Sequence, residues 1–266
     1  MPSEAGQWAV FIARCLTAVV AVAVLVLGGL VQLEVFKPSK FLAIVLIGAL
    51  ALFTLIDNVR TAYQTVKATR RQDAVARIAM TVMGMTNAVA HQCGLTTGVV
   101  GGSVFVAKKR WILRSHIIFV IRTTVLVRPP QWRIRYADGP QPSRVVWTTE
   151  KGAIGQAFRS GSIVYKYWAA IAERHGGRNG SIDSTSFTAL SNDVKSGFAH
   201  TEFVSIVGKY AEILAVPIMS VDGGKVLGVF AIDRPYRADE PPQMLFDCSA
   251  VADSVERVAG LIRDDL

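Results

Sequence analysis

Cysteine and histidine are scarce in this sequence, and neither occurs at a spacing that marks a metal or catalytic site. The 266 residues include 3 cysteines and 4 histidines. The cysteines, Cys15, Cys93 and Cys248, form no CxxC pair, and no HExxH motif is present. These absences exclude the common zinc motifs and a thioredoxin-like redox motif. We therefore predict free thiols in a reducing compartment, no metal site and no catalytic residue, and we expect that the protein is not an enzyme. The sequence identifies no cofactor.

A phosphate-binding loop is also lacking. Gly152 and Gly155 form a GxxG pattern, but the Lys and Ser/Thr that complete a P-loop do not follow it. We interpret both glycines as backbone positions that serve a turn.

Acidic residues are outnumbered, with 20 Asp and Glu against 29 Lys and Arg and a net charge of +9. This excess of positive charge is typical of proteins that bind either a nucleic acid or an anionic membrane surface. Of these two, we do not expect a nucleic-acid partner. One stretch without Asp or Glu is strongly basic. It is either a solvated strand face near lipid headgroups or a positive wall for a nucleotide or other phosphate ligand. Its cations are Lys108, Lys109, Arg110, Arg114, Arg122, Arg128, Arg133 and Arg135.

Charge is absent from two apolar runs near the N-terminus, residues 15–33 and 41–56. A helix of about 20 such residues spans a bilayer, so we predict a two-helix transmembrane hairpin over 1–57 with the lipid bilayer as a partner. Lys and Arg accumulate after the second run, which predicts a multi-pass cell-membrane protein with both termini cytoplasmic. A signal peptide or a buried hairpin is the alternative.

A linker or signalling helix is predicted over 58–92, since apolar residues recur there at spacings of three and four. Two interpretations stay open. The stripe either pairs two chains, as a homodimer through helices 58–92 and 243–262, or packs only on its own domain.

The remainder, 93–266, shows strand patterns from Ser103 onward, joined by connections too short for crossover helices. The fold class is therefore α+β with an antiparallel sheet. Two segments resemble the GAF domain family: EKGAIGQAFRSGSIV, with its glycine-bracketed turn, and ILAVPIMSVDGGKVLGVFAIDRP, with its strand hairpin. The resemblance implies a six-stranded antiparallel sheet with helices on one side and a small-molecule pocket on the other. It also implies that 170–205 carries a loop over the ligand.

Candidate ligand-binding residues come from the basic stretch and from aromatic residues around the glycine turn. Arginine binds phosphate in a bidentate manner, and aromatic side chains stack on ligand rings, although they are more often core. The candidates are Phe105, Arg133, Arg135, Trp147, Phe158, Tyr165 and Tyr167.

Three functions remain open. The first is a membrane-anchored bacterial sensor whose cytoplasmic GAF-like domain binds a small ligand, such as a nucleotide, or a partner protein. The second is a ligand-triggered effector of a bacterial defence system whose hairpin disrupts the bilayer. The third is a GAF-related reductase acting on oxidised methionine, which would need reactive cysteines in the sheet region.

Overall fold

A computed structural model describes residues 18–19, 21–24, 26, 40–113, 120–134, 145–175, 182–240 and 243–266. The chain divides into two compact units, Met1–Gln72 and Asp73–Leu266. The long helix α1 (Lys40–Gln92) begins in the first unit and ends in the second. Its 53 residues include the second apolar run and the whole of the predicted linker helix.

The membrane prediction is contradicted. Among the described residues, no helix combines the length and the apolar character needed to cross a bilayer. Most of the first apolar run, 15–33, lies outside the described residues. The second run, 41–56, is shorter than the roughly 20 residues of a span, and α1 continues from it directly into a polar, charged sequence. The prediction of a multi-pass membrane protein was therefore wrong, and the hypothesis of a bilayer-disrupting hairpin is withdrawn with it.

The unit Asp73–Leu266 is built on a six-stranded sheet, and every strand pairing within the described residues is antiparallel. The strand order is β2-β1-β6-β5-β4, and β3 pairs with β1. The strands are β1 (Gly101–Leu113), β2 (Val120–Val127), β3 (Arg133–Ile134), β4 (Val164–Tyr167), β5 (Tyr210–Met219) and β6 (Val226–Pro235). The predicted antiparallel α+β fold is confirmed.

Strands β5 and β6 form the hairpin that the sequence predicted. Ile213 pairs with Asp233 and Ile218 with Gly228. The turn between them contains Gly223 at φ 68°, a left-handed conformation that glycine adopts without steric cost. Both strands are almost wholly buried, because helices cover both faces of the sheet.

One face of the sheet, here called the α1–α7 face, packs against the end of α1 and against the last helix, α7 (Ser249–Arg263). From α1, Ile78, Val82 and Val89 are fully buried in this core. The apolar stripe of the second half of α1 therefore packs on its own domain. The homodimer through 58–92 and 243–262 stays a prediction.

The other face is covered by five short helices, where the resemblance implied a pocket rather than a helical layer. The difference has a physical reason, since the apolar side chains of this face would otherwise be exposed to water. The helices are α2 (Gly152–Ser160), α3 (Ala169–His175), α4 (Ser184–Ala189), α5 (Asn192–Lys195) and α6 (His200–Ile206).

A glycine substitution tests this packing. A Cβ on Gly155 would lie 2.5 Å from the Thr148 carbonyl oxygen, whereas a Cβ on Gly260, in α7, would meet no atom within 4 Å. We expect Gly155→Ala to lower the free energy of unfolding by about 1–3 kcal/mol. The matched control, Gly260→Ala, should raise it by about 0.5–1 kcal/mol. Urea denaturation measures both, and equal effects would contradict the close approach.

Candidate functional site

The glycine-bracketed turn joins the start of α2 to a segment that covers the sheet, residues 182–199, here called the cover segment. Gly152 adopts φ 61°, and its N–H donates to the Ser196 carbonyl oxygen at 2.8 Å. A Cβ on Gly197 would lie 2.2 Å from the Glu150 carbonyl oxygen. Gly152 therefore serves a turn, as the sequence predicted, and Gly197 permits the close backbone approach that attaches the cover segment to α2.

Beneath the cover segment lies a continuous row of aromatic rings, here called the aromatic cluster. Neighbouring ring centroids are 5.4–6.2 Å apart and the rings are tilted or edge-on, which is the favoured geometry for aromatic pairs. The row runs through Phe105, Trp147, Phe198, Trp168, Phe203 and Phe187. All of these except Phe187 are buried.

Three cations lie over rings of this cluster. The Arg128 guanidinium is 5.5 Å from the Phe105 centroid, and the Lys166 ammonium is 5.8 Å from that of Trp168. Lys195 lies 5.5 Å from the ring of Phe187. These distances permit cation–π attraction. The Lys166 ammonium also pairs with the Asp193 carboxylate at 3.2 Å, which partly offsets its charge.

The indole Nε1 of Trp168 is buried and, among the described residues, has no hydrogen-bond partner. The residue is 1% exposed. A buried donor that lacks an acceptor costs about 1–3 kcal/mol of stability. Such groups are therefore rare in folded proteins, and each of them calls for an explanation. Trp132 has a second such indole nitrogen, but that side chain packs against the core on the α1–α7 face.

A buried ionic network occupies the α1–α7 face. Glu212 is fully buried and pairs across the hairpin with Arg234, whose Nε donates to Oε1 at 2.9 Å. The Glu212 carboxylate also accepts from the backbone N–H groups of Leu245 and Phe246 at 3.1 and 3.0 Å. The Tyr165 hydroxyl donates to the same carboxylate at 3.1 Å. Every one of these bonds offsets the cost of burying the charge.

A small cleft opens to solvent beside this network. Seven residues line it: Ala169, Glu173, Ala211, Arg234, Tyr236, Arg237 and Glu240. Its charges are already paired in part, since Glu240 accepts from both Arg234 and Arg237 at 3.3 and 3.2 Å. The cleft therefore offers no excess of either charge.

The predicted site residues separate onto the two faces of the sheet. Phe105, Trp147 and Phe158 pack in or against the core that contains the aromatic cluster, on the sheet face opposite the α1–α7 face. Tyr165 instead packs on the α1–α7 face, and Tyr167, two residues further along β4, shares that strand face. Burial, and then the nearby Glu173 carboxylate, raises the pKa of Tyr167. The five aromatic candidates, all of them among the described residues, therefore do not form a single site.

Of the two arginines among the predicted site residues, the structure describes only Arg133. Arg133 donates to the Asp233 carboxylate at 2.5 and 3.2 Å and to the Ser103 hydroxyl at 2.7 Å. The side chains of Arg133 and Asp233 are only 9% and 7% exposed. Its charge is therefore neutralised by a carboxylate of β6. Arg135 lies outside the described residues.

Sequence reasoning left out the residues that organise both faces. Glu212, Asp233 and Arg234 interrupt otherwise apolar strands, and charges in such strands are a signal of buried ion pairs. Trp168 lies among the aromatic residues after the glycine turn, but nothing in the sequence shows that its indole nitrogen lacks a partner.

Comparison with known proteins finds no matching family model and no matching curated protein. Solved structures do match. The GAF domain of an Acinetobacter phosphoenolpyruvate-protein phosphotransferase is 15% identical, with a TM-score of 0.36, over 75% of this chain and 92% of that chain. A GAF domain/HD domain protein from Geobacter sulfurreducens is 11% identical, with a TM-score of 0.37, over 71% and 94%. The chain has a GAF-like fold, as the sequence motifs predicted. These values concern the fold alone and say nothing about activity.

The expectation that the protein is not an enzyme is corrected by the same comparison. A type II free methionine-R-sulfoxide reductase from Thermoplasma acidophilum is 9% identical, with a TM-score of 0.41, over 74% of this chain and 94% of that chain. A second reductase of this kind, from Staphylococcus aureus, also matches. The solved structures that this chain is similar to therefore include enzymes, and the expectation that it is not an enzyme is withdrawn. Of the described cysteines, Cys93 packs against the core of the α1–α7 face, not against the aromatic cluster.

Replacing Tyr165 by phenylalanine tests the ionic network through its pH dependence. Burial, and then the Glu212 carboxylate, raises the pKa of Tyr165, so the folded state holds the phenol proton more tightly than the unfolded state. The resulting stabilisation is fully present below the unfolded pKa of 10.0 and is lost as the pH rises toward the higher folded pKa. We expect the stability advantage of the wild type over Tyr165→Phe to decline above about pH 10. Urea denaturation across this range measures it, and parallel pH profiles would contradict the assignment.

Proposed function

We propose that the unit Asp73–Leu266 is a sensor domain that binds a small planar, anionic ligand, such as a nucleotide, at the aromatic cluster. The observation that carries the proposal is the partnerless indole Nε1 of Trp168 at the centre of that cluster. A ligand that brings a hydrogen-bond acceptor to this nitrogen would remove the cost of the buried donor.

The cover segment offers the route of entry. Helices α4 and α5 contain no fully buried residue, and their apolar side chains Phe187 and Val194 are only partly buried against the core. Regions with little buried surface open at the lowest free energy. Its attachments include Phe198, packed on Trp147, the ring contact of Phe187, and the bond from the Gly152 N–H to the Ser196 carbonyl oxygen. The Lys166 ammonium also donates to the Asp193 carbonyl oxygen at 2.6 Å. Outward movement of the segment would uncover the rings of Trp147 and Trp168.

The ligand class follows from the chemistry of the cluster. Flat rings stack on indole faces once movement of the cover segment has uncovered them, and the cations Arg128, Lys166 and Lys195 lie over rings of the cluster. A purine or pyrimidine with a phosphate group has both a planar ring and a negative charge. Arg133 does not add to this positive surface, because Asp233 already neutralises it.

A sensor also needs a path from ligand to output, and the sheet supplies one. Successive residues of β1 face opposite sides: Phe105 belongs to the aromatic cluster, while Val104 packs in the core with Val82 of α1. A displacement of Phe105 by ligand would therefore be transmitted through one strand to the helix that ends at Gln92. An output through a partner protein or a second copy of the chain is compatible with this path.

A matched pair of tryptophan substitutions tests the site. Trp168→Phe and Trp132→Phe each remove a buried indole N–H without a partner, but only the first lies in the aromatic cluster. We expect nucleotides from a panel of mono-, di- and cyclic forms to raise the melting temperature of the wild type. Trp168→Phe should weaken the affinity about tenfold, the value of one hydrogen bond. Trp132→Phe should bind as the wild type does.

Stability measured without ligand separates binding from folding. Because each substitution removes an unsatisfied donor, we expect neither variant to be destabilised by more than the loss of ring contacts. Calorimetric titration gives the affinities and thermal unfolding gives the stabilities. No thermal shift with any nucleotide, or equal affinities in both variants, would contradict a nucleotide site at Trp168.

A further inference from the structure

Two cysteines lie on the sheet face opposite the aromatic cluster, and their thiols share one hydrogen-bond acceptor. The Leu245 carbonyl oxygen accepts from Cys93 Sγ at 3.6 Å and from Cys248 Sγ at 3.9 Å. Two sulfur atoms within hydrogen-bonding reach of one oxygen are neighbours, although the residues are far apart in the sequence. Both are free thiols in this structure.

Both residues lie at the ends of helices. Cys93 follows the last residue of α1, Gln92, and Cys248 immediately precedes Ser249, the first residue of α7. A disulfide requires the two Cβ atoms to come within about 4 Å of each other. Rotation of side chains at the ends of helices meets this demand more readily than movement of a helix interior.

The two thiols differ in their environments. Cys248 is exposed, whereas Cys93 is partly buried. Burial, and then the neighbouring Cys248 thiol, raises the pKa of Cys93. Since the thiolate is the attacking species and must be accessible, Cys248 is suited to react first with an oxidant and Cys93 to react second, within the chain.

We propose that Cys93 and Cys248 form a reversible intramolecular disulfide when the protein meets a low-molecular-weight disulfide. The Cys248 thiolate attacks one sulfur of the small disulfide, forms a mixed disulfide and releases one small thiol. Deprotonated Cys93 then attacks Cys248 Sγ, forms the Cys93–Cys248 bond and releases the second small thiol. The two protein thiols are oxidised and the small disulfide is reduced to two thiols, so atoms and electrons balance.

The bond would connect the end of α1 to the start of α7. These two helices share the core of the α1–α7 face, and the residue between the thiols, Leu245, donates its N–H to the buried Glu212 carboxylate. A disulfide between Cys93 and Cys248 closes the long loop between these two residues, and such a closure reduces the conformational freedom of the unfolded chain. Oxidation would therefore link the end of α1 covalently to the start of α7 and would make the fold more stable. The end of α1 is also the part to which the sheet would transmit ligand binding under the proposed function.

The test uses the full chain carrying Cys15→Ser, so that Cys93 and Cys248 are the remaining thiols. The native protein is treated with glutathione disulfide, and its free thiols are counted by maleimide labelling and mass spectrometry. We expect loss of both thiols without added glutathione mass, a linked peptide containing Cys93 and Cys248, and a higher melting temperature. Dithiothreitol should reverse all three changes.

Single substitutions identify the order of attack. With Cys93→Ser added, Cys248 should retain one glutathione, because no second thiol can release it. With Cys248→Ser added, Cys93 should react at least tenfold more slowly than Cys248 does. In the Cys15→Ser protein, a stable glutathione adduct, a disulfide-linked dimer or retention of both thiols would each overturn the proposal, whether or not the single variants fold.

Discussion

The buried carboxylate of Glu212 is the constraint on which most of this domain depends. A charge in the interior is tolerated only when a counter-charge and hydrogen-bond donors surround it, and here the partners come from three parts of the chain. They are Arg234 in β6, Tyr165 in β4 and the backbone of Leu245 and Phe246 before α7. The requirement to satisfy this one group fixes the hairpin register, docks β4 and orients the segment leading into the last helix.

The sheet separates two environments with different chemistry. One face holds the aromatic cluster under the cover segment, bordered by cations and containing an unsatisfied indole donor. The other holds the ionic network, the end of α1, α7 and two neighbouring thiols. Strand alternation couples them, because adjacent residues of β1 belong to opposite cores. A ligand on the first face and oxidation on the second would thus act on the same long helix.

The candidate site was only partly predictable, and the reasons are physical. Phe105, Trp147 and Phe158 were identified because they are aromatic residues near the glycine turn, and they do share one core. Tyr165 met the same criterion, but β4 points it to the opposite face, into hydrogen-bonding contact with Glu212. Arg133 belongs to a stretch without acids, yet Asp233 pairs with it across 100 positions of sequence. The apolar run 41–56 suggested a membrane span, although the helix containing it continues to Gln92.

The sequence by itself determined the elements whose signals are local. Strand alternation and the DGGK turn specify the β5–β6 hairpin, and the short connections require an antiparallel sheet. The glycine-bracketed turn is likewise local, since only residues without a Cβ fit there. Tertiary structure decided which arginines are neutralised, on which face each aromatic residue lies, and that Cys93 and Cys248 are neighbours. Those outcomes depend on strand register and helix docking, which bring together side chains that no sequence window contains.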